Sequence, residues 1–437
     1  MNLKKYNQKH LMTHFEELSI NEKEILSTQI NNLDFELITK IYNNKDKKMD
    51  LSQNKVTPLI ASRLNSTEHK KCFNIGLESI KNGEVAVVLM AGGQGTRLGH
   101  IGPKGTYDIG LPSHKSLFAL QCDRLIRLHQ MTGQYIKWYI MTSEDNHQES
   151  IEHFEENSYF GYDKKYIHFF KQDRLPLVLE NGKIAMKSKY EINLAANGNG
   201  GVFSSLESHG LLEEMSHNKV KWVFLYGVDN AIAKVADPAF IGFTIQSKKP
   251  IASKSVDKIN PEEKVGVICY RNNHPDIVEY SELPDDLRYE RDLNNELVYR
   301  NGNILSHIFS LEFLKDCAKK DIIYHTAHKK VSAYDNGKLN ESEIPNGYKF
   351  ELFLFDMFQF SDDMAVMSVN REEEFSPVKN KSGYDSPETA KNIILNLHHK
   401  WLKVAGFDAS VGLEVNTKLS YDGEDLLTHN IQDITFG

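Results

Sequence analysis

Residue types and spacing first point to chemistry in Met90-Ala-Gly-Gly-Gln-Gly-Thr-Arg-Leu-Gly99, a stretch closed by Pro103-Lys104. It follows the apolar run Val85-Ala-Val-Val-Leu89, and a β-branched run that stops at clustered glycines predicts a buried strand feeding a tight loop. Gly92, Gly93 and Gly95 lack side chains, so an anion can approach the main-chain N–H groups, while Arg97 and Lys104 supply charge from the same loop. This is how a loop for nucleotide phosphates is built.

Two other glycine loops are excluded. A dinucleotide fingerprint needs a third glycine where Leu98 stands, and no Gly-Lys-Ser/Thr follows as in a Walker loop.

The elements that must position this loop read as follows. From Val85 onward, strand-like runs alternate with helical ones, predicting a mostly parallel sheet with helices on both faces. Ser116 can cap a helix with Leu117, Leu120, Leu125 and Leu128 facing inward, ended by Gly133. Lys137–Thr142, Tyr166–Phe170 and Trp222–Tyr226 read as further strands, and Asp229 falls at the carboxyl end of the last, where ligands of such sheets collect. Asn181-Gly182 predicts a two-residue hairpin turn, and runs near Ile251-Ala252, Val265–Cys269 and Ile277–Tyr280 suggest an added antiparallel region over the site.

Residues 1–83 read as helical, without strand signal, and as a lid or brace on the rest. Ser19-Ile-Asn-Glu22 has capping-box spacing, Ser66-Thr-Glu68 opens a helix that ends at Asn82-Gly83, and Asn43–Lys48 reads as a polar linker. Near the end, Ser386-Pro387 opens a helix carrying Ile393, Leu395, Leu397, Trp401 and Val404, closed by Gly406. The expected division is 1–83, a catalytic domain over 84–380, and a short C-terminal region over 381–437.

A chain of 437 residues with 40% apolar and 26% charged residues is ordinary globular material with a large central domain. A net charge of -8 argues against a nucleic-acid surface. No stretch has the apolar length of a membrane span and the start lacks a leader pattern, so a cytoplasmic location is expected. Cys72, Cys122, Cys269 and Cys317 are too scattered for zinc or a disulfide framework and read as reduced structural thiols.

The string Met90–Lys104, continued by Gly105-Thr-Tyr-Asp-Ile-Gly-Leu-Pro-Ser113, closely resembles the UDP-N-acetylhexosamine pyrophosphorylase family, whose loop reads Leu-x-x-Gly-x-Gly-Thr-x-Leu-Gly-x-x-x-Pro-Lys. Met90 replaces the family's first Leu. The resemblance runs over roughly residues 60 to 425 and implies an α/β fold: a Rossmann-like nucleotidyltransferase sheet (GT-A-like) flanked by helices. The last thirty residues resemble the start of the family's C-terminal β domain.

The resemblance assigns nucleotide contacts to Met90, Ala91, Gly92, Gly93, Gln94, Gly95, Thr96 and, in Asn197-Gly-Asn-Gly-Gly-Val-Phe203, to Gly198. In Gln172-Asp-Arg-Leu-Pro176 it gives Gln172 to uracil, whose edge needs the donor and acceptor that a side-chain amide carries. Sugar contacts fall to Asn199, Glu279, Tyr280, Asn303, Phe353 and Phe355, with an aromatic ring against an acetyl methyl. Asp229, in Tyr226-Gly-Val-Asp-Asn230, matches the family's metal-binding element for Mg²⁺ or Mn²⁺. Lys379, in Glu374-Phe-Ser-Pro-Val-Lys379, falls to a phosphate.

The implied reaction joins UTP and an N-acetylhexosamine 1-phosphate into a UDP-sugar and pyrophosphate, with Arg97, Lys104 and Lys379 as the catalytic cations. A pyrophosphorylase of other or broader sugar range, a glycosyltransferase and a non-catalytic sensor remain open, although the Asp-x-Asp common in glycosyltransferases is absent. Oligomeric state is equally open.

Overall fold

The computed structural model describes residues 3–45, 55–320, 322–335 and 337–436. The chain divides into two units: a smaller one of Met1–Asn54, Gln172–Ser205 and Lys320–Met357, and a larger one of Lys55–Lys171, Leu206–Lys319 and Phe358–Gly437. The division does not follow the expected boundaries at 83 and 380. It parts the N-terminal region after residue 54, and the smaller unit takes two further stretches from the middle of the chain.

The larger unit is built on a ten-stranded sheet. Its parallel part runs in the order Trp222–Gly227, Val85–Met90, Lys137–Thr142, Ile167–Lys171. Every residue of Val85–Met90 is buried, which explains its continuous apolar run: a central parallel strand is covered on both faces. Asn301–Ser310 continues the sheet antiparallel to Trp222–Gly227 and also pairs with Ile251–Asp257.

Two expectations are corrected at this edge. The runs read as a region over the site instead extend the main sheet, with Val267–Arg271 pairing with His274–Val278 and Ile251–Asp257 lying between Asn301–Ser310 and Ala365–Ser368. Residues 1–83 do hold a strand, Val56–Pro58, antiparallel to Val267–Arg271. Three residues ending in proline suffice on a sheet edge, where one missing N–H is tolerated.

Helices form where their caps predict. The Ser116 hydroxyl accepts the Ala119 N–H at the start of Leu117–Thr132, and Gly133 closes it at φ 74°. Asn65, one residue before the expected opening, caps Ser66–Lys81 with Glu68 in a capping box. Ser386 caps Pro387–Val404, which buries Ile394, Leu397 and Trp401 but leaves Val404 exposed. Of the C-terminal β structure expected, Glu414–Val415 pairs with Thr435–Phe436. Among the described residues no helix is long and apolar enough to cross a membrane.

In the smaller unit, Ser19 and Glu22 form the capping box of Ile20–Asn32, and Asp34 caps Phe35–Asn43. The expected linker therefore overlaps a helix end at Asn43, and its residues from 46 lie outside the described ones. Leu26, Ile30, Phe35 and Ile38 join Val178, Ile184, Ile192 and Phe350 in one apolar cluster, so all three stretches share a core. The hairpin at Asn181-Gly182 has a three-residue loop rather than two: the Leu179 N–H reaches the Lys183 carbonyl and Gly182 sits at φ 79°.

Candidate active site

The glycine loop leaves Val85–Met90 as expected and folds back on itself. The Gly95 N–H donates to the Gly102 carbonyl at 3.0 Å and the Lys104 N–H to the Gly93 carbonyl at 3.1 Å. Buried Asn146 stitches its root, donating through Nδ2 to the Ala91 and Gly93 carbonyls at 2.9 and 3.3 Å. Nothing in the sequence singles out Asn146, because its partners are carbonyls far away in the chain.

The glycines differ in purpose. A Cβ at Gly93 would enter open space, so this residue presents backbone to solvent, whereas a Cβ at Gly95 would lie 2.7 Å from the His100 ring, so this one serves packing. Gln94 turns its amide to the Asp145 carbonyl at 3.4 Å, and exposed Thr96 and Arg97 stand on a short turn anchored by buried Leu98.

Asp229 and Lys379 are brought to this loop by two segments that pair with each other. The Val228 N–H donates to the Met90 carbonyl at 3.2 Å, and the Val378 N–H to the Asp229 carbonyl at 2.8 Å. Burial pushes the Lys104 ammonium below the ordinary lysine value; Asp229 opposes that shift, while Lys379 and Arg97 add to it. All four groups thus share one electrostatic neighbourhood. Among the described residues, the side chains of Arg97, Lys104, Asp229 and Lys379 form no hydrogen bond and no close ion pair; the Lys379 ammonium lies 5.8 Å from the Phe375 ring centre and acts at longer range on Glu279 and Asp385.

Glu279 and Asn303 meet around Gly266. The Asn303 N–H donates to the Gly266 carbonyl at 2.8 Å, and the Glu279 carboxylate lies 3.4 Å from where a Gly266 Cβ would be. Burial raises the Glu279 pKa; Glu282 adds to this and Lys379 opposes it. Asn303 sits at a bulge where Leu305 has φ 54°, and its Oδ1 accepts the Leu305 N–H at 2.9 Å, while its Nδ2 makes no hydrogen bond among the described residues. Tyr280 is partly exposed beside Glu279.

The smaller unit holds the remaining predicted residues. Gln172 donates through Nε2 to the Gly198 carbonyl and lies 3.4 Å from Asn197 Oδ1. Gly198 has φ 85°, and any Cβ there would run into the Leu352 carbonyl, so only glycine fits. Asn199 Oδ1 accepts the Leu354 N–H at 3.0 Å. Phe353 and Phe355 stack at 5.3 Å, and the Phe353 ring lies 4.5 Å from His325. Asp356 ties these together, accepting from the Phe353 N–H at 2.6 Å and bonding His325 Nε2 at 2.8 Å. His325 and Asp356 carry no sequence signal of this role.

Among the described residues no group of three or more His, Cys, Asp or Glu could cage a metal ion. Mg²⁺ does not require one, since it commonly takes one or two carboxylates and completes its shell with phosphate oxygens and water. A half-buried, unpaired carboxylate at Asp229 fits that donor set.

The family model described as UTP–glucose-1-phosphate uridylyltransferase matches residues 33–404. The chain is 39% identical over 441 residues to the UDP-N-acetylglucosamine pyrophosphorylase of Saccharomyces cerevisiae, covering 97% of this chain and 92% of that one. It is 38% identical over 459 residues to a probable UDP-N-acetylglucosamine pyrophosphorylase of Dictyostelium discoideum, covering 98% and 94%. Among solved structures it is similar to the uridine diphosphate N-acetylglucosamine pyrophosphorylase from Trypanosoma brucei, with TM-score 0.84 and 30% identity over 98% of this chain and 93% of that one.

Proposed function

This chain belongs to the UTP–glucose-1-phosphate uridylyltransferase family, within it to the UDP-N-acetylglucosamine pyrophosphorylases, and on that premise we propose that it makes UDP-N-acetylglucosamine and pyrophosphate from UTP and N-acetylglucosamine 1-phosphate. The observation that carries the reading is the group of unpaired charges, Arg97, Lys104, Lys379 and Asp229, around the glycine loop. Three cations that form no close salt bridge among the described residues, beside an open backbone, are suited to polyanions.

An oxygen of the sugar phosphate attacks the α-phosphorus of UTP in line. One P–O bond forms there as the bond to the bridging oxygen breaks and pyrophosphate leaves with the electron pair. The nucleophile is already ionised, so no general base or enzyme-bound intermediate is needed, and catalysis reduces to alignment and charge neutralisation. Arg97 faces the leaving pyrophosphate, Lys104 the α-phosphate and Lys379 the incoming phosphate. Asp229 would hold Mg²⁺ or Mn²⁺, which supplies further neutralisation of phosphate oxygens.

Gln172 would read the base. Its Nε2 is committed to the Gly198 carbonyl, so Oε1 is the atom left to accept a hydrogen bond from uracil N3–H. Cytosine presents a lone pair there, and the same orientation rejects it. Glu279 and the Asn303 Nδ2 suit sugar hydroxyls with Tyr280 at the rim, Asn199 keeps its Nδ2 for the sugar, and the Phe353–Phe355 stack suits an acetyl methyl. A cytoplasmic, reducing setting belongs to the same proposal, supported by four buried cysteines without disulfides.

The test is pyrophosphate release from UTP with a panel of sugar 1-phosphates. Fastest turnover with N-acetylglucosamine 1-phosphate supports the reading, equal rates with glucose 1-phosphate would replace it by a broad-range enzyme, and no release with any sugar would overturn it.

A further inference from the structure

Behind the segments that carry Asp229 and Lys379 lies a group of buried charges that the proposed reaction does not use. Lys254 stands in the middle of Ile251–Asp257 and is 1% exposed. Its ammonium donates to Asp237 Oδ2 at 2.6 Å and to Glu374 Oε2 at 2.7 Å. Lys234, also buried, lies 3.6 Å from Glu374 Oε1 and 2.7 Å from Asp422.

These contacts join particular pieces of chain. Asp237 caps Pro238–Ser247 and ends the segment that begins at Asp229. Glu374 begins the segment that ends at Lys379, and its carbonyl accepts from Asn230 Nδ2 at 2.6 Å. The Ser376 N–H returns to Asn230 Oδ1 at 2.9 Å. Glu374 is therefore held from both ends, by side-chain charge and by main chain.

Stability does not account for such a cluster, because burying charges costs about as much as their attraction returns, and apolar residues of similar volume would serve as well. What two ammonium groups shared among carboxylates of separate segments do provide is one geometry, since any shift leaves a buried charge unpaired.

We propose that Lys254, Lys234 and Glu374 are positioning residues for the uridylyl transfer, fixing the Lys379 ammonium relative to Asp229. The proposal rests on the reading of those two groups as charges that meet substrate. It implies that damage to the network appears in turnover, acts through Lys379, and leaves UTP binding at the glycine loop largely intact.

The experiment is a double-mutant cycle in the full-length protein. Wild-type pyrophosphate release is measured first; its absence with every sugar 1-phosphate would fail the functional reading itself, whatever the variants do. With active wild type, Lys254→Met and Glu374→Gln are made alone and together with Lys379→Ala. Each alone should lower kcat by about 10- to 100-fold, the usual range for groups supporting a reacting centre. The KM for UTP should stay within about threefold of wild type. In the Lys379→Ala background each should cost about twofold or less, because the group through which it acts is gone. Equal losses in both backgrounds, or unchanged kcat in a folded variant of lowered Tm, would overturn the proposal. If Lys254→Met does not fold, Glu374→Gln, which keeps volume and hydrogen-bonding reach, carries the same test. Failure of both to fold would also overturn it, as the network would then be structural.

Discussion

Among the described residues of the larger unit Arg97, Lys104 and Asp229 form no hydrogen bond or close ion pair at the end of a parallel sheet, whereas in the smaller unit Gln172, Asn199 and Asp356 each make a hydrogen bond to nearby backbone. On the proposed reaction, the difference follows from what each set would meet. Charges that neutralise a polyanion must stay uncommitted until it arrives, and the lowered pKa of Lys104 reports what that costs a half-buried ammonium. Groups that read neutral hydroxyls or a base edge gain by being half-committed, because one fixed bond orients the atom that remains. Turnover should therefore reside in the uncommitted charges, and selectivity in groups oriented by a fixed hydrogen bond, Asn303 of the larger unit among them.

The sharpest way to break that comparison is to withhold the divalent cation proposed to bind at Asp229. Turnover should fall to background on exhaustive chelation and return with Mg²⁺ or Mn²⁺; undiminished turnover would release Asp229 from the metal role. Next come the loop cations. Arg97→Ala and Lys104→Ala should each lower kcat by on the order of 10²-fold or more, as for loss of one preorganised donor, with nucleotide affinity falling much less. Arg97→Lys should remain substantially defective, since it restores charge without the planar fork. Losses confined to the KM for UTP would make these residues uniform binders and erase the contrast.

A smaller effect is expected from the selectivity set. Gln172→Leu should narrow the preference for UTP over CTP by about tenfold, the scale of one discriminating hydrogen bond, with kcat for UTP little changed. Competition between the two nucleotides measures it, and an unaltered ratio would show that another group reads the base. The mildest effect concerns Glu279, whose raised pKa means that the carboxylate is lost as pH falls through a value above the ordinary glutamate range. The KM for the sugar 1-phosphate should rise as pH falls into that window, and Glu279→Gln should flatten the profile.

Much of the larger unit was legible because its signals are local: the apolar strand Val85–Met90, the glycines after it, and the caps at Ser116 and Ser386 each act within a few residues. Val56–Pro58 escaped notice because a three-residue edge strand carries almost no periodicity. Lys254 was invisible for a different reason. In Ile251–Asp257 the polar residues Ser253, Lys254 and Ser255 are as buried as their apolar neighbours, so burial there depends on partners from Asp237 and Glu374 that no local pattern announces. Asn146, His325 and Asp356 share that character, since each acts on backbone or rings brought from elsewhere.

The threefold origin of the smaller unit bears on how the polypeptide matures. His10 bonds the carbonyl of Ile184, 174 positions away, and Phe350 completes the apolar cluster begun by Leu11 and Leu26. As the nascent chain leaves the ribosome, its first helices must wait for the remaining stretches of their own core, and closing such long loops is slow. In that interval their apolar faces are open to aggregation and to chaperones. Substitutions at Leu26 or Ile38 should accordingly diminish the yield of soluble protein more than the specific activity of the molecules that complete assembly.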